Sequence, residues 1–435
     1  MYLGIDFGTS GCRAVVIDAQ RVIQAQASQS LPAPELYSGR IQQAAKVWLD
    51  GLQQLFQQLA NKLDLSAIQR IAIDGTSASL LLCDPDGNPL TSALMYNDNS
   101  SRTQIERIRQ YCPAEQHVTL GSTSGLSKAL HLMHDSHIKQ VKILHQADYL
   151  SNYLSNRWGV SDYHNALKLG YDVERLEWPD WIKKLLPQSA LPEVLAPGDV
   201  IGMIEPRMAE QYGLSKECRI CTGSTDANAA FMATRSTRPG DAVTSIGSTL
   251  VLKILNRNLI QDLHSGVYSH KLGDLWLVGG ASNAGAQVLR QYFSEEQIVD
   301  YSTRMNLQQP TGLKYYPLTS IGERFPYHDP HKQPRLSPRP ASDVLFLQAI
   351  LEGLSEIERT GYEKLVTLGA SQPGRIQTCG GGAKNPQWTE MRSRLLAIPV
   401  IAAHQTEACY GSALLALEGL QPYCKINQAQ TEEVS

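Results

Sequence analysis

At 435 residues the chain is longer than one hydrophobic core usually serves, so two domains of roughly 200 residues each are expected, with a cleft between them as the default active-site location. Apolar residues make up 42% and charged residues 19%, which allows a sizeable core and excludes a largely disordered chain. A net charge of −3 supplies no basic stripe for a nucleic-acid backbone, and no run approaches the ~20 apolar residues of a membrane span.

Met1 leads directly into strand-like Tyr2-Leu3-Gly4-Ile5, without a basic or long apolar leader, which predicts cytoplasmic residence. The eight scattered cysteines are expected as reduced thiols. Tyr2 to Asp6, Cys12 to Asp18 and Arg21 to Ser30 read as an antiparallel meander of three strands. Between the first two lies Asp6-Phe7-Gly8-Thr9-Ser10-Gly11. Gly8, Thr9, Ser10 and Gly11 offer backbone N–H groups, little bulk and hydroxyl donors, which is what a phosphate cradle needs. Asp6 at the strand end suits Mg²⁺, which prefers carboxylate oxygen together with phosphate, bound directly or through water. A glycine-rich hairpin capped by an aspartate is the plain alternative.

Apolar residues at helical spacing predict a helix from Ala44 to Leu65 that covers the sheet. Ile68 to Ile73 and Leu80 to Cys83 read as buried strands, the second ending in the turn Asp84–Pro89. In Gly223-Ser224-Thr225-Asp226-Ala227-Asn228-Ala229-Ala230, Asp226 opens a helix. A carboxylate there either accepts a proton from a sugar hydroxyl or simply caps the helix, and the residue alone decides nothing. A boundary is expected at Arg235 to Asp241, where Pro239-Gly240 breaks the preceding helix.

A weaker copy of the first layout starts near Ala242. Strand Ala242 to Ile246, the small-residue turn Gly247-Ser248-Thr249, strand Leu250 to Leu255, a hairpin at Gly273-Asp274 and a helix from about Ala284 predict a duplicated domain. Gln308 to Pro340 is proline-rich and should run as an irregular excursion. Gly380-Gly381-Gly382-Ala383-Lys384-Asn385 links a strand, Arg375 to Cys379, to a helix, Pro386 to Leu396. Such glycines let backbone approach a flat ligand, and an adenosine site is the functional reading. The end beyond Gln421 should fray.

Several motifs carry less. Gly121 to Lys128 has the wrong spacing for a P-loop, so Lys128 is read as opening a helix. Cys218-Arg219-Ile220-Cys221 has no second pair to complete a zinc site, and His131, His134 and His137 read as a solvated helix face. Asp84–Asn88 is a turn rather than a calcium loop, since no later acidic ligand follows.

Taken in order, DFGTSG, GSTDANAA, SIGST and CGGGAKNPQW resemble the FGGY carbohydrate kinases over about residues 2 to 420. Met95-Tyr96-Asn97-Asp98 looks like that family's Trp-x-Asp sugar-site segment, Ser161–Ala166 like its Thr-Asp-Tyr-Ser-Asn-Ala run, and Leu351-Glu352-Gly353 like its domain-two helix. The resemblance implies an α/β chain with the actin-like ATPase fold: two RNase H-like domains, 1–235 and 236–420, each with a mixed five-stranded sheet flanked by helices, then a tail, 421–435. It implies ATP and Mg²⁺ as cofactors and a small-molecule sugar as partner, with no nucleic acid or membrane. Closure of the domains on the sugar would exclude water as a competing acceptor.

Residue by residue, the resemblance implies Asp226 as catalytic base, and Asp6, Ser77, Asp98 and Asp226 around the sugar. Gly8, Thr9, Ser10, Gly11, Arg13, Gly247, Ser248 and Thr249 would serve the phosphates, and Gly381, Gly382, Asn385 and Trp388 the nucleoside. Where ketopentose members carry Gly-Gln-Met-His-Gly, this chain reads Gly75-Thr76-Ser77-Ala78-Ser79. That departure looks like a short plant and cyanobacterial branch and implies D-ribulose ahead of D-xylulose, with another sugar or polyol as the alternative. An actin- or chaperone-type ATPase and a catalytically weak sugar sensor are the rivals on the same fold. The sequence leaves the oligomeric state open.

Overall fold

The computed structural model describes residues 1–115, 117–136 and 140–424. Two compact units form: Met1–Arg235 with Glu407–Pro422, and Ser236–Thr406 with the described residues from Tyr423.

In the first unit the meander Tyr2–Phe7, Gly11–Ile17, Ile23–Ser30 is antiparallel, and Arg70–Gly75 runs parallel beside Tyr2–Phe7. Arg219–Cys221 follows in parallel, Val200–Met203 adds an antiparallel edge, and Ser224–Thr225 extends the pairing along Arg70–Gly75. Leu3, Ile5 and Phe7 are fully buried in one core with Trp48, Leu52, Leu55 and Leu59 of the helix Ala45–Ala60. That helix ends at Ala60, five residues before the limit read from periodicity.

The opposite face of the meander is covered from far along the chain. Helix Ala408–Glu418 buries residues all round its circumference, so it must lie between other elements rather than on a surface. It packs against Tyr2–Phe7 and against helix Asp226–Ala233. A Cβ on Gly4 would stand 2.0 Å from the Cys409 carbonyl oxygen, and one on Gly411 would stand 1.9 Å from that of Ala229, so glycine alone permits this approach. The resemblance assigns this stretch to the C-terminal domain, 236–420, whereas its packing is with the first meander. The structure places it in the first unit.

A second sheet of the first unit contains Glu35–Tyr37, Arg40–Gln43, Ala93–Leu94, Leu80–Cys83 and Lys142–His145. The turn 75–79 therefore bridges two sheets. Cys218 and Cys221 are buried free thiols, the first just before and the second at the end of the strand Arg219–Cys221 that leads toward Asp226. His137 lies outside the described residues, so the three-histidine helix face is described only in part.

The second unit repeats the plan. Asp241–Ile246 pairs antiparallel with Leu250–Asn256 and parallel with Arg375–Cys379, giving the order Tyr268–Leu272, Leu275–Ala281, Leu250–Asn256, Asp241–Ile246, Arg375–Cys379, Val400–Ala402. The five-strand expectation is thus exceeded, by two strands in the first unit's main sheet and by one here. The additions are edge or two-residue pieces too short to show periodicity. The helix expected from Ala284 is a 3-10 segment, Ala286–Gln291, followed by a separate helix, Glu295–Thr303, which Ser294 and Gln297 start with a capping box.

The excursion 308–340 holds no helix or regular strand and is pinned to helix Asp343–Thr367. Glu352 accepts from the Thr311 N–H and hydroxyl, and Gln348 donates to the Asn306 and Gln309 carbonyls. Beneath it, Arg392 donates to both oxygens of Glu358 at 2.6 Å, both side chains being 1% exposed. Arg392 also donates to Thr378 at 2.7 Å, and Glu358 accepts from the Thr244 hydroxyl at 2.5 Å, so one pair ties two helices to two strands. Truncating one partner strands a buried charge. Arg392→Met is expected to destabilise the protein by about 3–5 kcal/mol, read by denaturant unfolding; a loss under about 1 kcal/mol rejects the role.

Candidate functional site

Parallel pairing sets Asp6 directly beside Asp74, Asp74 beside Ser224, and Gly75 beside both Phe7 and Thr225. Asp226 is the next residue, half-buried in the first turn of helix Asp226–Ala233, where its Oδ1 accepts the Ala227 N–H at 2.6 Å. The carboxyl ends of three parallel strands thus gather three carboxyl groups. Asp162 caps the short helix Tyr163–Ala166, and His164 lies 2.7 Å from the Ser224 hydroxyl, which supports the strand leading to Asp226.

Asp74 was absent from the candidates read in the sequence. Its signal is a carboxylate closing the apolar run Ile71-Ala72-Ile73, and its structural partner, Ser412, donates to Oδ2 at 2.6 Å from 338 positions away. Asp74 is fully buried and Asp6 nearly so, and the Oδ1 atoms of both lack a conventional donor among the described residues. Burial, then the Asp6 charge, pushes the Asp74 carboxyl well above the usual range. Burial raises Asp6 as well, offset by a hydrogen bond from Asp74 and by Arg13, its cross-strand neighbour. Asp74, the more strongly raised of the two, is therefore the carboxyl that favours keeping a proton and donating toward Asp6. Arg13 is exposed and pairs with Glu407 at 3.1 Å.

Gly8 donates its N–H to Gly11 at 2.9 Å, closing a tight turn that leaves Thr9 half-buried and Ser10 exposed. In the turn 75–79 the Ser77 hydroxyl oxygen is buried with no partner among the described residues. Asp98 is turned inward: its Oδ2 accepts the Ile41 N–H at 2.7 Å and its Oδ1 the Ser100 hydroxyl at 2.6 Å. Its carboxylate serves the chain's own backbone, while Tyr96 and Asn97 beside it are exposed.

In the second unit Gly247, Ser248 and Thr249 form the turn between two strands, with Ser248 exposed and Gly247 donating to the Thr249 carbonyl at 3.1 Å. Gly285 packs on that turn, where a Cβ would lie 2.3 Å from the Ser248 carbonyl oxygen. Gly381 is exposed with open space around it, whereas Gly382 is buried against Ile246 and Trp388. Asn385 caps helix Pro386–Leu396 through the Trp388 N–H and donates to the Ser302 hydroxyl at 2.8 Å. Trp388 is buried in the core with its indole N–H on Ser355, so it supports the glycine turn from below.

The raised Asp74 carboxyl has a measurable sign. An unfolded carboxyl ionises near ~3.9, while the folded one holds its proton to higher pH, so this site costs stability as pH climbs above ~4. Asp74→Asn keeps a donor for Asp6 and an acceptor for Ser412. It is expected to raise the thermal midpoint at pH 8, with the gain shrinking toward pH 4; a pH-independent difference in a thermal-melt series would contradict the shared proton.

Residues 1–233 match the model of the N-terminal domain, and residues 242–419 that of the C-terminal domain, of the FGGY family of carbohydrate kinases. The xylulose kinase of Bacillus subtilis is 25% identical over 448 residues, spanning 96% of this chain and 88% of that protein. The xylulose kinase of Haemophilus influenzae is 24% identical, spanning 96% of this chain and 90% of that one. A solved structure of xylulose kinase from Rhodospirillum rubrum, 19% identical, superposes with a TM-score of 0.85 over 96% of this chain and 89% of that chain, and so shares its fold. With both domain models matched across nearly the whole chain, the protein belongs to the FGGY family of carbohydrate kinases and is a phosphotransferase acting on a small-molecule sugar.

Proposed function

We propose that the chain transfers the γ-phosphoryl group of ATP to the terminal hydroxyl of a ketopentose, D-ribulose in preference to D-xylulose. The observation that carries this reading is the unpartnered Ser77 hydroxyl, two residues beyond Gly75, the strand end that pairs with Phe7 and Thr225, the neighbours of Asp6 and Asp226. The two ketopentoses differ only in configuration at carbon 3, so a small hydroxyl donor is the kind of group that separates them.

Asp226 accepts the proton of the attacking hydroxyl. The sugar oxygen bonds to the γ-phosphorus, the bond from that phosphorus to the bridging oxygen of the β-phosphate breaks, and ADP leaves. In this reading the Gly8–Gly11 turn, with Arg13, and the Gly247–Thr249 turn bind phosphates. Gly381 and Asn385 contact the nucleoside, while Gly382 and Trp388 hold their turn in shape. The residues present fit a divalent cation, because Asp6 places a nearly buried carboxylate one residue before the Gly8–Gly11 turn's flanking Phe7, where carboxylate and phosphate oxygens can be shared. Mg²⁺, when bound, offsets negative charge on the phosphoryl oxygens, and Asp6 would hold it directly or through water. Asp74, by donating to Asp6, orients that carboxylate. The inward-facing Asp98 shapes the sugar segment through Ile41 and Ser100.

D-xylulose is the second reading, favoured by the names of the relatives. Among the described residues no helix is long and apolar enough to cross a membrane.

Measuring ADP release with ATP, Mg²⁺ and a panel of ketoses and polyols tests the proposal. D-ribulose is expected to give the highest kcat/KM. A higher value for D-xylulose replaces the first reading with the second, and no stimulation by either ketopentose rejects both. Asp226→Ala is expected to lower kcat by about 10²–10⁴-fold; full retained turnover removes Asp226 as the base. Ser77→Ala is expected to raise the ketose KM about tenfold, with the KM for ATP unchanged.

A further inference from the structure

Lys128 lies in the first turn of helix Gly125–Ser136 and is fully buried. Its ammonium donates to three backbone carbonyls: Ala78 at 2.9 Å, Met95 at 2.6 Å and Tyr96 at 3.1 Å. Three N–H donors meet three acceptors, so the cation is completely satisfied. The acceptors come from the turn 75–79 and from the segment 95–98, the two stretches in which the chain departs from or resembles the family's sugar-site sequence. Burial pushes the Lys128 ammonium down to about 7, opposed by the charge of Asp98. A leucine or methionine would fill the same space without that cost, so the cation is held for what it bonds.

The rest of the turn is equally committed. Gln146 Oε1 accepts the Thr76 N–H at 3.0 Å and the Thr76 hydroxyl at 2.9 Å, and the Gln146 N–H donates to the Ser79 carbonyl at 3.0 Å. Ala78 sits at φ +63°, a left-handed conformation that its Cβ disfavours, and its carbonyl is the one Lys128 takes. On the other side, Met95 donates to the Ile41 carbonyl and Asp98 accepts the Ile41 N–H, which fixes that segment to strand Arg40–Gln43. Within the first of these anchored stretches the Ser77 hydroxyl is left unpartnered among the described residues.

We propose that Lys128 is the positioning residue of the sugar site: it clamps the 75–79 turn to the 95–98 segment and so presents the Ser77 hydroxyl to a ketose hydroxyl. The sugar part of this inference rests on the ketopentose reading; the clamp itself does not. Lys128 touches no reacting atom, so its loss acts on sugar affinity ahead of turnover.

The test uses the full chain with Lys128→Met, which keeps the stem and removes the donors, and Lys128→Arg, which restores donors. Without sugar or nucleotide, backbone amides of 76–79 and 95–98 are expected to exchange with deuterium at least about tenfold faster in Lys128→Met, while those of Tyr2–Phe7 are unchanged. With sugar, its KM is expected to rise about tenfold or more, with the KM for ATP within about twofold of wild type and Lys128→Arg recovering part of the loss. Unchanged exchange in both segments overturns the clamp, and an unchanged sugar KM overturns its role in the sugar site. If Lys128→Met fails to fold, Lys128→Gln carries the same two comparisons. Faster exchange in a protein whose wild type is stimulated by no ketose supports the clamp and overturns the ketopentose reading.

Discussion

The site of the first unit depends on the parallel register between Tyr2–Phe7 and Arg70–Gly75. Side chains on adjacent parallel strands at equal height point to the same face, so the register that pairs Asp6 with Asp74 brings two carboxyls together in a place water barely reaches. Two like charges that close cannot both persist, so one carboxyl keeps its proton and becomes a donor to the other. A slip of one residue would turn Asp74 to the opposite face and leave Asp6 without that donor.

The same sheet must be closed on both faces for those carboxyls to be buried. Helix Ala45–Ala60 closes one face with large apolar side chains, and helix Ala408–Glu418 closes the other by direct backbone approach over Gly4. Ser412 of the second helix then donates to Asp74. Packing and site chemistry are thus one arrangement, in which the helix that supplies apolar contact also supplies the hydroxyl.

The second unit solves the same topology with different chemistry. Its opening strand also pairs antiparallel on one side and parallel on the other, yet its interior is organised by a bidentate ion pair, Glu358 with Arg392, reaching Thr244 and Thr378 on two adjacent strands. The proline-rich excursion contributes no regular structure, and polar side chains of helix Asp343–Thr367 capture its backbone instead.

Much of this was legible in the residue order. Period-two apolar runs separated by small-residue turns identify the meanders, and the turns Gly8–Gly11, Gly247–Thr249 and Gly380–Asn385 stand out because glycine and hydroxyl residues cluster there for local backbone reasons. Asp226 was visible because a carboxylate at a helix start follows strand-like residues. The role of Asp74, that of Lys128 and the packing of Ala408–Glu418 against the first meander were not visible. Asp74 looked like the end of a strand, Lys128 like an ordinary helix residue, and the last helix like the continuation of its sequence neighbours. Each acquires its meaning from partners tens to hundreds of positions away: Ser412 for Asp74, Ala78 and Met95 for Lys128, Gly4 for Cys409. The sequence by itself determined the local turns, the two repeated meanders and the order of the three glycine-bearing loops, because those follow from short-range sterics and apolar periodicity. Only the tertiary structure decided which carboxyl keeps a proton and which lysine holds the Ser77 turn, because charge burial and carbonyl capture depend on what distant segments bring into contact.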